Sequence, residues 1–283
     1  MDDIEGKLAQ LEGKKVIITG VSTGIGEELM KQASEHGAQV VGTYWHTKEH
    51  EKRDGVKLLK MDAGETTARK VDANAGMLLD ALGGKPDIVI YNAGVIGATH
   101  HFEQVPLTER VAEWKDVMDT NLNGPIFLYH SLGATTGANH HAVHAFTGSV
   151  ARVVAEMFNA PPEGAPLPPG VPGLDPYALT RTAMAAFAHS VNNEIAGNRA
   201  HGAPTQTRVA LLEYQFVGGT KIGNGVVRML GVPSGEVAAS LTPYGKPVPV
   251  DVAAQLGLIS VVNRYNAEPG AKMGDTLIPP RGK

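Results

Sequence analysis

The chain contains no cysteine among its 283 residues. Disulfide bonds, thiolate metal sites and cysteine nucleophiles are therefore excluded from its structure and its chemistry. The sequence also lacks an apolar run near the roughly 18 residues that identify a membrane-spanning helix. The N-terminal stretch MDDIEGKLAQLEGKK is acidic and has no apolar centre, so it does not fit a signal peptide. These absences lead us to expect a soluble, cytoplasmic protein.

Neither sign of charge is in large excess. The 25 basic and 29 acidic residues give a net charge of -4, with a sequence pI of about 6.3. This balance offers no electrostatic reason to expect nucleic acid or an anionic membrane as a partner. Hydrophobic residues make up 42% of the chain, as is typical of globular proteins, and the length suits one large α/β domain.

Short apolar runs are spaced along the chain in a pattern typical of buried strands. They are KKVIITG (14–20), AQVVGTY (38–44), VKLLKMD (56–62), PDIVIYNAG (86–94), AVHAFTGS (142–149) and RVALLEY (208–214). Amphipathic stretches between them predict helices at 24–37, 65–82, 107–132 and from Tyr177 to about Ala196. In the third of these, Gly124 and Pro125 should bend or interrupt the helix.

Strands that alternate with helices in this way indicate a parallel sheet wrapped on both faces. The prediction is therefore a single doubly wound, Rossmann-type α/β domain spanning residues 1–283. The region after Gly218 is rich in glycine and proline and yields no assignment.

One segment departs from the alternation. Residues 160–176, APPEGAPLPPGVPGLDP, hold seven of the eighteen prolines, which argues against a regular helix or a central strand. A linker between two domains is one interpretation. Because the strand and helix pattern resumes after the segment, an insertion within one domain is favoured.

A glycine-rich stretch, TGVSTGIG (19–26), follows the first strand and opens the first helix. Gly20 permits a tight turn, Gly24 lets the backbone approach a ligand, and Gly26 permits close packing of helix and strand. A pyrophosphate placed there would accept hydrogen bonds from the free N–H groups of the helix. In this context the stretch predicts a dinucleotide site.

Residues 14 to about 200 resemble the short-chain dehydrogenase/reductase family. TGVSTGIG fits the family pattern TGxxxGIG without a mismatch, and the family's NAG motif follows the fourth strand. The resemblance implies a NAD(P) cofactor, with Asp62 at the family position that holds the adenine. The cofactor-binding residues that it implies are Gly20, Ser22, Gly24, Ile25, Gly26, Tyr44, Asp62, Asn92, Ala93 and Gly94.

The stretch DPYALTR (175–181) sets Tyr177 and Arg181 four residues apart, on one face of the predicted helix. By itself this pair suits a surface tyrosine beside a surface arginine. The resemblance instead implies a catalytic set in which Asn121 orders the helix and a water, Ser149 holds the substrate oxygen and Tyr177 transfers the proton. A nearby cation favours the phenolate form, which suits that role. The implied reaction interconverts a carbonyl and an alcohol by hydride transfer.

Position 181 departs from the family, which has lysine there. Arginine is always cationic and carries five donors, but its pKa above about 12 prevents it from passing a proton. A set of serine, tyrosine and arginine also resembles the cofactor-free halohydrin dehalogenases. The three loop glycines, Asp62 and NAG favour the reductase over that alternative.

Two further departures concern the substrate side. Ser149 and Tyr177 are 28 residues apart, about twice the family spacing, so the insertion should overhang the substrate pocket. Glu213, Tyr214 and Gln215 stand where the family has Pro-Gly. These differences keep a third alternative open, a cofactor-binding protein with weak or no catalysis.

The end of the second strand determines the predicted cofactor. A carboxylate there would bind the ribose 2′-hydroxyl and select NAD. This chain has Tyr44, Trp45 and His46 instead, with Lys48 nearby. The missing carboxylate and the two basic residues favour NADP, with NAD possible. By family resemblance we also expect a small-molecule carbonyl or alcohol substrate and a homo-oligomer, either dimer or tetramer.

Five histidines are candidate metal ligands, namely His100, His101, His140, His141 and His144. No carboxylate stands at ligand spacing from them, so we expect surface or strand-end residues and no metal.

Overall fold

The structure is a computed structural model that describes residues 2–45, 53–97, 105–137, 139–149, 175–202, 205–214, 217–218, 220 and 247–273. Its strands are β1 (Lys15–Ile18), β2 (Gln39–Tyr44), β3 (Val56–Lys60), β4 (Ile88–Tyr91), β5 (Ala142–Ser149) and β6 (Thr207–Tyr214). Its α-helices are α1 (Asp2–Leu8), α2 (Gly24–Glu35), α3 (Ala68–Leu82), α4 (Leu107–Met118), α5 (Gly124–Thr136), α6 (Asp175–Ala200) and α7 (Val250–Asn266). Within these ranges, no helix combines the length and apolar character needed to cross a membrane.

The six strands form one parallel sheet in the order β3-β2-β1-β4-β5-β6. Val16 of β1 is paired with Val40 of β2 on one side and with Ile88 of β4 on the other. The strand order therefore reverses between β1 and β4. In open α/β sheets, ligands bind in the crevice that this reversal opens at the carboxyl ends of the strands. The predicted doubly wound fold is confirmed.

The two faces of the sheet are covered by different helices. On one face, α2 and α7 place Leu29 and Val261 in a cluster with Ile18 of β1. On the other face, α3, α5 and α6 form a second cluster, in which Leu78 packs with Ile17. Successive side chains of a strand point to opposite faces, so neighbouring apolar residues of β1 serve both layers. This explains why the central strands are continuous apolar runs.

The predicted helix over 107–132 is widened rather than broken. Between α4 and α5 the chain forms a π-helical turn, Asp119–Asn123, and keeps right-handed helical dihedral angles on both sides of it. Gly124 donates its N–H to the carbonyl of Asp119, five residues back. Pro125 follows and has no N–H to donate to the preceding turn. The π-helical turn accommodates this missing hydrogen bond, so the helix continues through Pro125.

Two other details differ from the sequence prediction. Strands β1, β3 and β4 are shorter at their ends than the apolar runs, as is common for sequence-based boundaries. Pro176, in the segment for which a helix was excluded, lies in the first turn of α6, where proline is tolerated. Residues 160–174 lie outside the described residues.

Helices α1 and α7 were not predicted. Helix α7 contains Gly257 and β-branched residues such as Val250 and Ile259, which have low helix propensity. Its buried face, which includes Leu258 and Val261, packs against α2 and the sheet. Tertiary packing therefore stabilises a helix that local propensity does not indicate.

Candidate active site

The glycine-rich loop between β1 and α2 is shaped by close contacts. Gly20 has φ of +73°, and a Cβ at this position would lie 2.6 Å from the Cα of Ala93. A Cβ on Gly26 would overlap the carbonyl oxygen of Gly20 and the side-chain amide of Asn92. Neither position has room for a side chain. Within the described residues, Thr23 makes no side-chain cap on α2, so the first N–H groups of this helix are suited to an anionic ligand.

A network of hydrogen bonds joins this loop to the NAG motif. The Thr19 hydroxyl accepts from the N–H of Asn92 at 3.0 Å and of Ala93 at 3.1 Å. The Asn92 side chain donates to the carbonyls of Thr19 at 3.2 Å and Gly20 at 3.1 Å. Thr19 was missed as a site residue, although it is the first residue of the TGVSTGIG stretch. Its hydroxyl holds the ends of β1 and β4 together.

The remaining residues predicted to bind the cofactor lie at the same edge of the sheet. Ser22 is in the loop, and Ile25 lies in the first turn of α2 and packs against the core. Tyr44 is the last residue of β2, and its carbonyl accepts from Met61 at 2.9 Å. Asp62 accepts the N–H of Gly64 at 2.8 Å, which fixes the turn after β3.

The exposed end of β2 carries an aromatic ring beside a cation. Trp45 is 51% exposed, and the Lys60 ammonium lies 5.5 Å from its ring centroid. Lys60 pairs in register with Tyr44, so it stands beside the end of β2. His46 and Lys48 lie outside the described residues. Lys60 is thus a cation at this edge that the sequence pattern did not identify, because it stands on a different strand.

Asn121 lies in the π-helical turn and is fully buried. Its Oδ1 accepts the N–H of Val95 at 2.8 Å, and its Nδ2 donates to the Val95 carbonyl at 2.8 Å. The same Nδ2 donates to the hydroxyl of Thr180 at 3.3 Å. Asn121 therefore connects the chain after the NAG motif with helix α6. Thr180 is a second residue that was missed, although it directly precedes Arg181.

Tyr177 and Arg181 do lie on one face of α6, but not at the surface. Their exposed fractions are 6% and 2%, so the interpretation as a surface pair is wrong. The guanidinium carbon of Arg181 is 5.0 Å from the Tyr177 ring centroid, and Nη1 donates to the Thr147 carbonyl at 2.8 Å. Nη2 occupies the space that a side chain on Gly94 would need. Arg181 thus packs between the end of β5 and the NAG motif.

Ser149 is the last residue of β5, two positions beyond Thr147, and it is half-buried. It pairs in register with Tyr214 of β6. Glu213 is 4% exposed at the same end of the sheet, and burial raises the pKa of Tyr214 above its ordinary range. Gln215 lies outside the described residues. The carboxyl edge therefore carries four polar groups, the Ser149 hydroxyl, the Tyr177 phenol, the Arg181 guanidinium and the Asn121 carboxamide. These are the kinds of group needed to hold an oxygen atom and move a proton.

Of the five histidines considered as metal ligands, His100 and His101 lie outside the described residues, and the other three contact protein groups. The Nε2 of His140 is 2.7 Å from the Pro86 carbonyl, and that of His141 is 2.9 Å from the Tyr265 carbonyl. His144 lies in the core rather than at the surface or a strand end, with its Nδ1 2.9 Å from the Tyr91 hydroxyl. Burial lowers the pKa of His144 to about 3, so the imidazole is neutral.

The family model described as short chain dehydrogenase matches residues 14–159. A 3-oxoacyl-[acyl-carrier-protein] reductase of Chlamydia pneumoniae is 31% identical over 199 residues, which cover 66% of this chain and 69% of that protein. Another of the same name from Vibrio cholerae is 27% identical over 193 residues, with 66% and 69% covered.

Solved structures of the same family share the fold. A 3-ketoacyl-(acyl-carrier-protein) reductase from Brucella melitensis, complexed with NADH, superposes with a TM-score of 0.65 at 20% identity over 94% of this chain and 98% of that one. A short chain dehydrogenase from Burkholderia cenocepacia J2315, in complex with NADP, gives 0.66 at 17% identity over 94% and 96%.

Proposed function

The chain belongs to the short chain dehydrogenase family, and on that premise we propose that it is an NAD(P)-dependent oxidoreductase interconverting a carbonyl and an alcohol. The observation that carries the proposal is the buried pair of Tyr177 and Arg181, which packs against Gly94 at the edge of the sheet that bears the glycine-rich loop. A phenol and a guanidinium are costly to bury. Their burial beside a dinucleotide loop supports a catalytic use.

The residues around the loop fit a dinucleotide. Gly20 and Gly26 leave no room for side chains, and the uncapped first turn of α2 has N–H groups suited to a pyrophosphate. When bound, the nicotinamide supplies or accepts the hydride. Asp62 would hold the adenine, and Asn92, Ala93 and Gly94 would line the crevice between β1 and β4.

The chemistry of the substrate oxygen then rests on this chain's own side chains. In reduction, the Tyr177 hydroxyl gives its proton to the carbonyl oxygen, and the Ser149 hydroxyl donates a hydrogen bond to the same oxygen. The guanidinium carbon of Arg181 lies 5.0 Å from the Tyr177 ring centroid, and its positive charge stabilises the phenolate that remains after the proton is transferred. Because arginine retains its protons, water or a ribose hydroxyl must return a proton to Tyr177.

We propose that NADP is preferred over NAD. The exposed Trp45 and the Lys60 ammonium at the end of β2 support this preference, since no carboxylate stands at the last residues of β2 that the structure describes. A cation at this position attracts a 2′-phosphate, whereas a carboxylate would repel it. Two further residues that can carry positive charge, His46 and Lys48, lie within three positions after Trp45 in the sequence.

The substrate is proposed to be a small carbonyl or alcohol, and the active form a homo-oligomer. The two relatives named above are reductases of 3-oxoacyl groups on an acyl carrier protein, so 3-oxoacyl thioesters are the first compounds to assay. We further propose one domain over residues 1–283, in which the proline-rich segment 160–176 borders the substrate pocket. In the sequence this segment lies between Ser149 and Tyr177, which supports that position.

A cofactor-binding protein with weak or no catalysis is the second candidate. Buried Glu213 supports it, because a carboxylate and the Tyr214 ring occupy the place of the Pro-Gly that shapes the family's nicotinamide pocket. A dehalogenase of the serine–tyrosine–arginine type is the third, supported by the arginine at position 181. Both candidates make predictions that differ from those of the reductase.

Turnover and binding, measured together, distinguish the three candidates. Titration by fluorescence should show NADPH binding more tightly than NADH, and NADPH should be consumed with a panel of ketones and 3-oxoacyl thioesters. Tyr177→Phe should reduce turnover by about 100-fold or more, since it removes the general acid, while cofactor affinity changes little. Tyr265→Phe, a loss of a phenol at the opposite end of the sheet, is the matched control.

Binding without turnover would support the second candidate over the reductase. Absence of dinucleotide binding would exclude the first two and direct the assay to halide release from a vicinal haloalcohol. Wild-type kcat in Tyr177→Phe would show that the proton comes from another group.

A further inference from the structure

Thr180 occupies a buried position between two groups of the candidate site. It lies on α6 directly before Arg181, and none of its surface is exposed. Its hydroxyl donates to the backbone carbonyl of Tyr177 at 2.8 Å and accepts from Nδ2 of Asn121 at 3.3 Å. A hydroxyl has one donor and two acceptor sites, so this one side chain serves both partners at once.

The partner amide is fixed by further bonds. Both hydrogens of Asn121 Nδ2 have acceptors, the Val95 carbonyl and the Thr180 hydroxyl, and Oδ1 accepts the N–H of Val95. The carboxamide therefore has one orientation that satisfies all of its bonds. A continuous chain of hydrogen bonds runs from Val95, just after the NAG motif, through Asn121 and Thr180 to the turn of α6 that carries Tyr177.

This chain joins segments that are distant in sequence. Val95 and Asn121 are 26 residues apart, and Asn121 and Thr180 are 59 residues apart. Because Asn121 and Thr180 are fully buried, where water cannot replace a lost partner, the bond between them restrains both residues more strongly than it would at the surface. Residue 180 is also β-branched, which limits its side chain to few rotamers in a helix.

We propose that Thr180 is a positioning residue for the reaction, through which the π-helical turn and the chain after NAG hold the first turns of α6 and thereby the Tyr177 hydroxyl. The inference rests on the proposed function, in which Tyr177 transfers the proton. Thr180 itself touches neither the cofactor nor the reacting atoms in this account. Its effect is exerted through the backbone of Tyr177 and through Asn121.

Substitution of Thr180 by valine distinguishes the effect of the hydroxyl group from the effect of side-chain shape. Thr180→Val keeps the branched shape and removes both hydrogen bonds, which leaves one hydrogen of Asn121 Nδ2 without an acceptor. Thr180→Ser keeps the hydroxyl and removes only the methyl group. Thr182→Val is the matched control, because Thr182 is an exposed residue of the same helix whose hydroxyl donates to the Ala178 carbonyl at 3.0 Å.

Steady-state kinetics, NADPH titration and a pH–rate profile on the full chain provide the first test. Thr180→Val should lower kcat for ketone reduction about tenfold, with the NADPH dissociation constant within twofold of wild type. Thr180→Ser and Thr182→Val should stay within twofold of wild-type kcat. The inference is overturned if Thr180→Val retains kcat within twofold, or if Thr180→Ser falls as far as Thr180→Val, since the methyl group would then be what matters.

Amide hydrogen exchange provides a second test that does not depend on activity. The Val95 amide, which donates to Asn121, should exchange about tenfold faster or more in Thr180→Val than in Thr182→Val. Equal exchange in the two variants overturns the inference. If wild-type protein shows no turnover, the proposed function fails, and the exchange measurement still decides whether Thr180 holds this chain of bonds. Thr180→Ala replaces Thr180→Val in both tests if the valine variant does not fold.

Discussion

The carboxyl edge of the sheet has two sides that are built by different means. On the nucleotide side, formed by the ends of β1, β2 and β4, the geometry depends on positions that have no room for a side chain, Gly20 and Gly26, and on hydrogen bonds from the Asn92 side chain to nearby carbonyls. On the proposed catalytic side, formed by the π-helical turn, the end of β5 and the start of α6, large buried side chains fill the space, and Asn121 and Arg181 bind the backbone of other segments. The sequence resemblance predicts that the first side keeps the family pattern and that the second departs from it at position 181.

Buried charge is distributed unevenly along the chain. In the part of the chain that the structure describes, the buried residues with a formal charge are Arg181, Arg208, Glu213 and Arg264, all in the last four tenths of the sequence. The buried polar residues of the nucleotide side, Thr19 and Thr43 among them, are neutral.

Backbone packing tolerates almost no change, whereas a side-chain contact can be made by more than one residue type. The two sides should therefore respond differently to mutation, and four measurements test whether they do.

The largest effect is expected from Gly26→Ala on the nucleotide side. Its Cβ would overlap the Gly20 carbonyl and the Asn92 amide, so α2 must move away from the crevice. We expect NADPH affinity to fall by about 100-fold, roughly 2.7 kcal/mol, and stability to fall by about 2–4 kcal/mol. Titration and urea unfolding measure the two quantities.

Gly76→Ala is the control for this change. A Cβ on Gly76, in the middle of α3, meets nothing within 4 Å, so alanine should stabilise the protein by about 0.5–1 kcal/mol. If Gly26→Ala keeps the wild-type affinity for NADPH, the comparison between the two sides fails. The close contacts of Gly26 would then not determine the geometry of the nucleotide side.

The next effect concerns acid stability and the buried His144 of β5. Burial lowers the pKa of His144 from about 6.5 in the unfolded chain to about 3 in the native state. Between these values the unfolded chain binds a proton that the native state does not. The stability contribution is complete above pH 6.5 and is lost as pH falls, at about 1.4 kcal/mol per pH unit. Near pH 4.5 the loss is about 2–3 kcal/mol.

Urea unfolding from pH 7 to pH 4.5 measures this loss. His144→Gln should be less stable at pH 7 but should show a shallower pH dependence, since it has no imidazole to protonate. His201→Gln, at an exposed position, should retain the wild-type slope. Equal slopes in all three proteins would mean that other groups cause the acid sensitivity of this region.

A smaller change is expected from Arg181→Lys, which introduces the residue that the family resemblance implies at this position. Lysine keeps the positive charge and removes Nε, which has no hydrogen-bond partner among the described residues, but it also loses the planar fork that reaches Thr147. Cofactor affinity should change little. The kcat for ketone reduction should stay level or rise, because an ammonium can join a proton relay.

Steady-state kinetics and a pH–rate profile measure this change, with Arg199→Lys on the same helix as control. A fall in kcat of more than about tenfold, roughly 1.4 kcal/mol of transition-state stabilisation, would contradict the expectation. The catalytic side would then be as intolerant as the nucleotide side, and halide release from a vicinal haloalcohol becomes the assay to run.

The smallest effect should come from Tyr214→Phe. The Tyr214 hydroxyl is buried with no hydrogen-bond partner among the described residues, so its removal costs no bond and relieves a desolvated polar group. Stability in urea should be unchanged or higher by up to about 1 kcal/mol. In the control Tyr265→Phe, loss of the 3.0 Å bond to Asp87 should lower stability by about 1 kcal/mol. A clear loss of stability in Tyr214→Phe would contradict this expectation, because it would show that the hydroxyl contributes to the free energy of unfolding.

Local patterns in the sequence were sufficient for the sheet and for the glycine-rich loop. The six strands follow from apolar runs, and β5 was predicted at its observed bounds, 142–149. The glycine-rich loop was recognisable because a missing side chain is a property of a single position. The π-helical turn was only partly foreseen, since Gly124 and Pro125 indicate an irregularity but not its form.

What the sequence determined by itself is therefore the order of the elements and the positions where backbone must approach backbone, because periodicity and glycine act over a few residues. Only the tertiary structure decided that Tyr177 and Arg181 are buried and that the segment 250–266 is a helix. It also decided that Thr19 and Thr180 form hydrogen bonds with segments distant in sequence. These features depend on contacts between residues tens of positions apart. Such contacts form only when the parallel strands bring their carboxyl ends to one edge, and no local pattern records them.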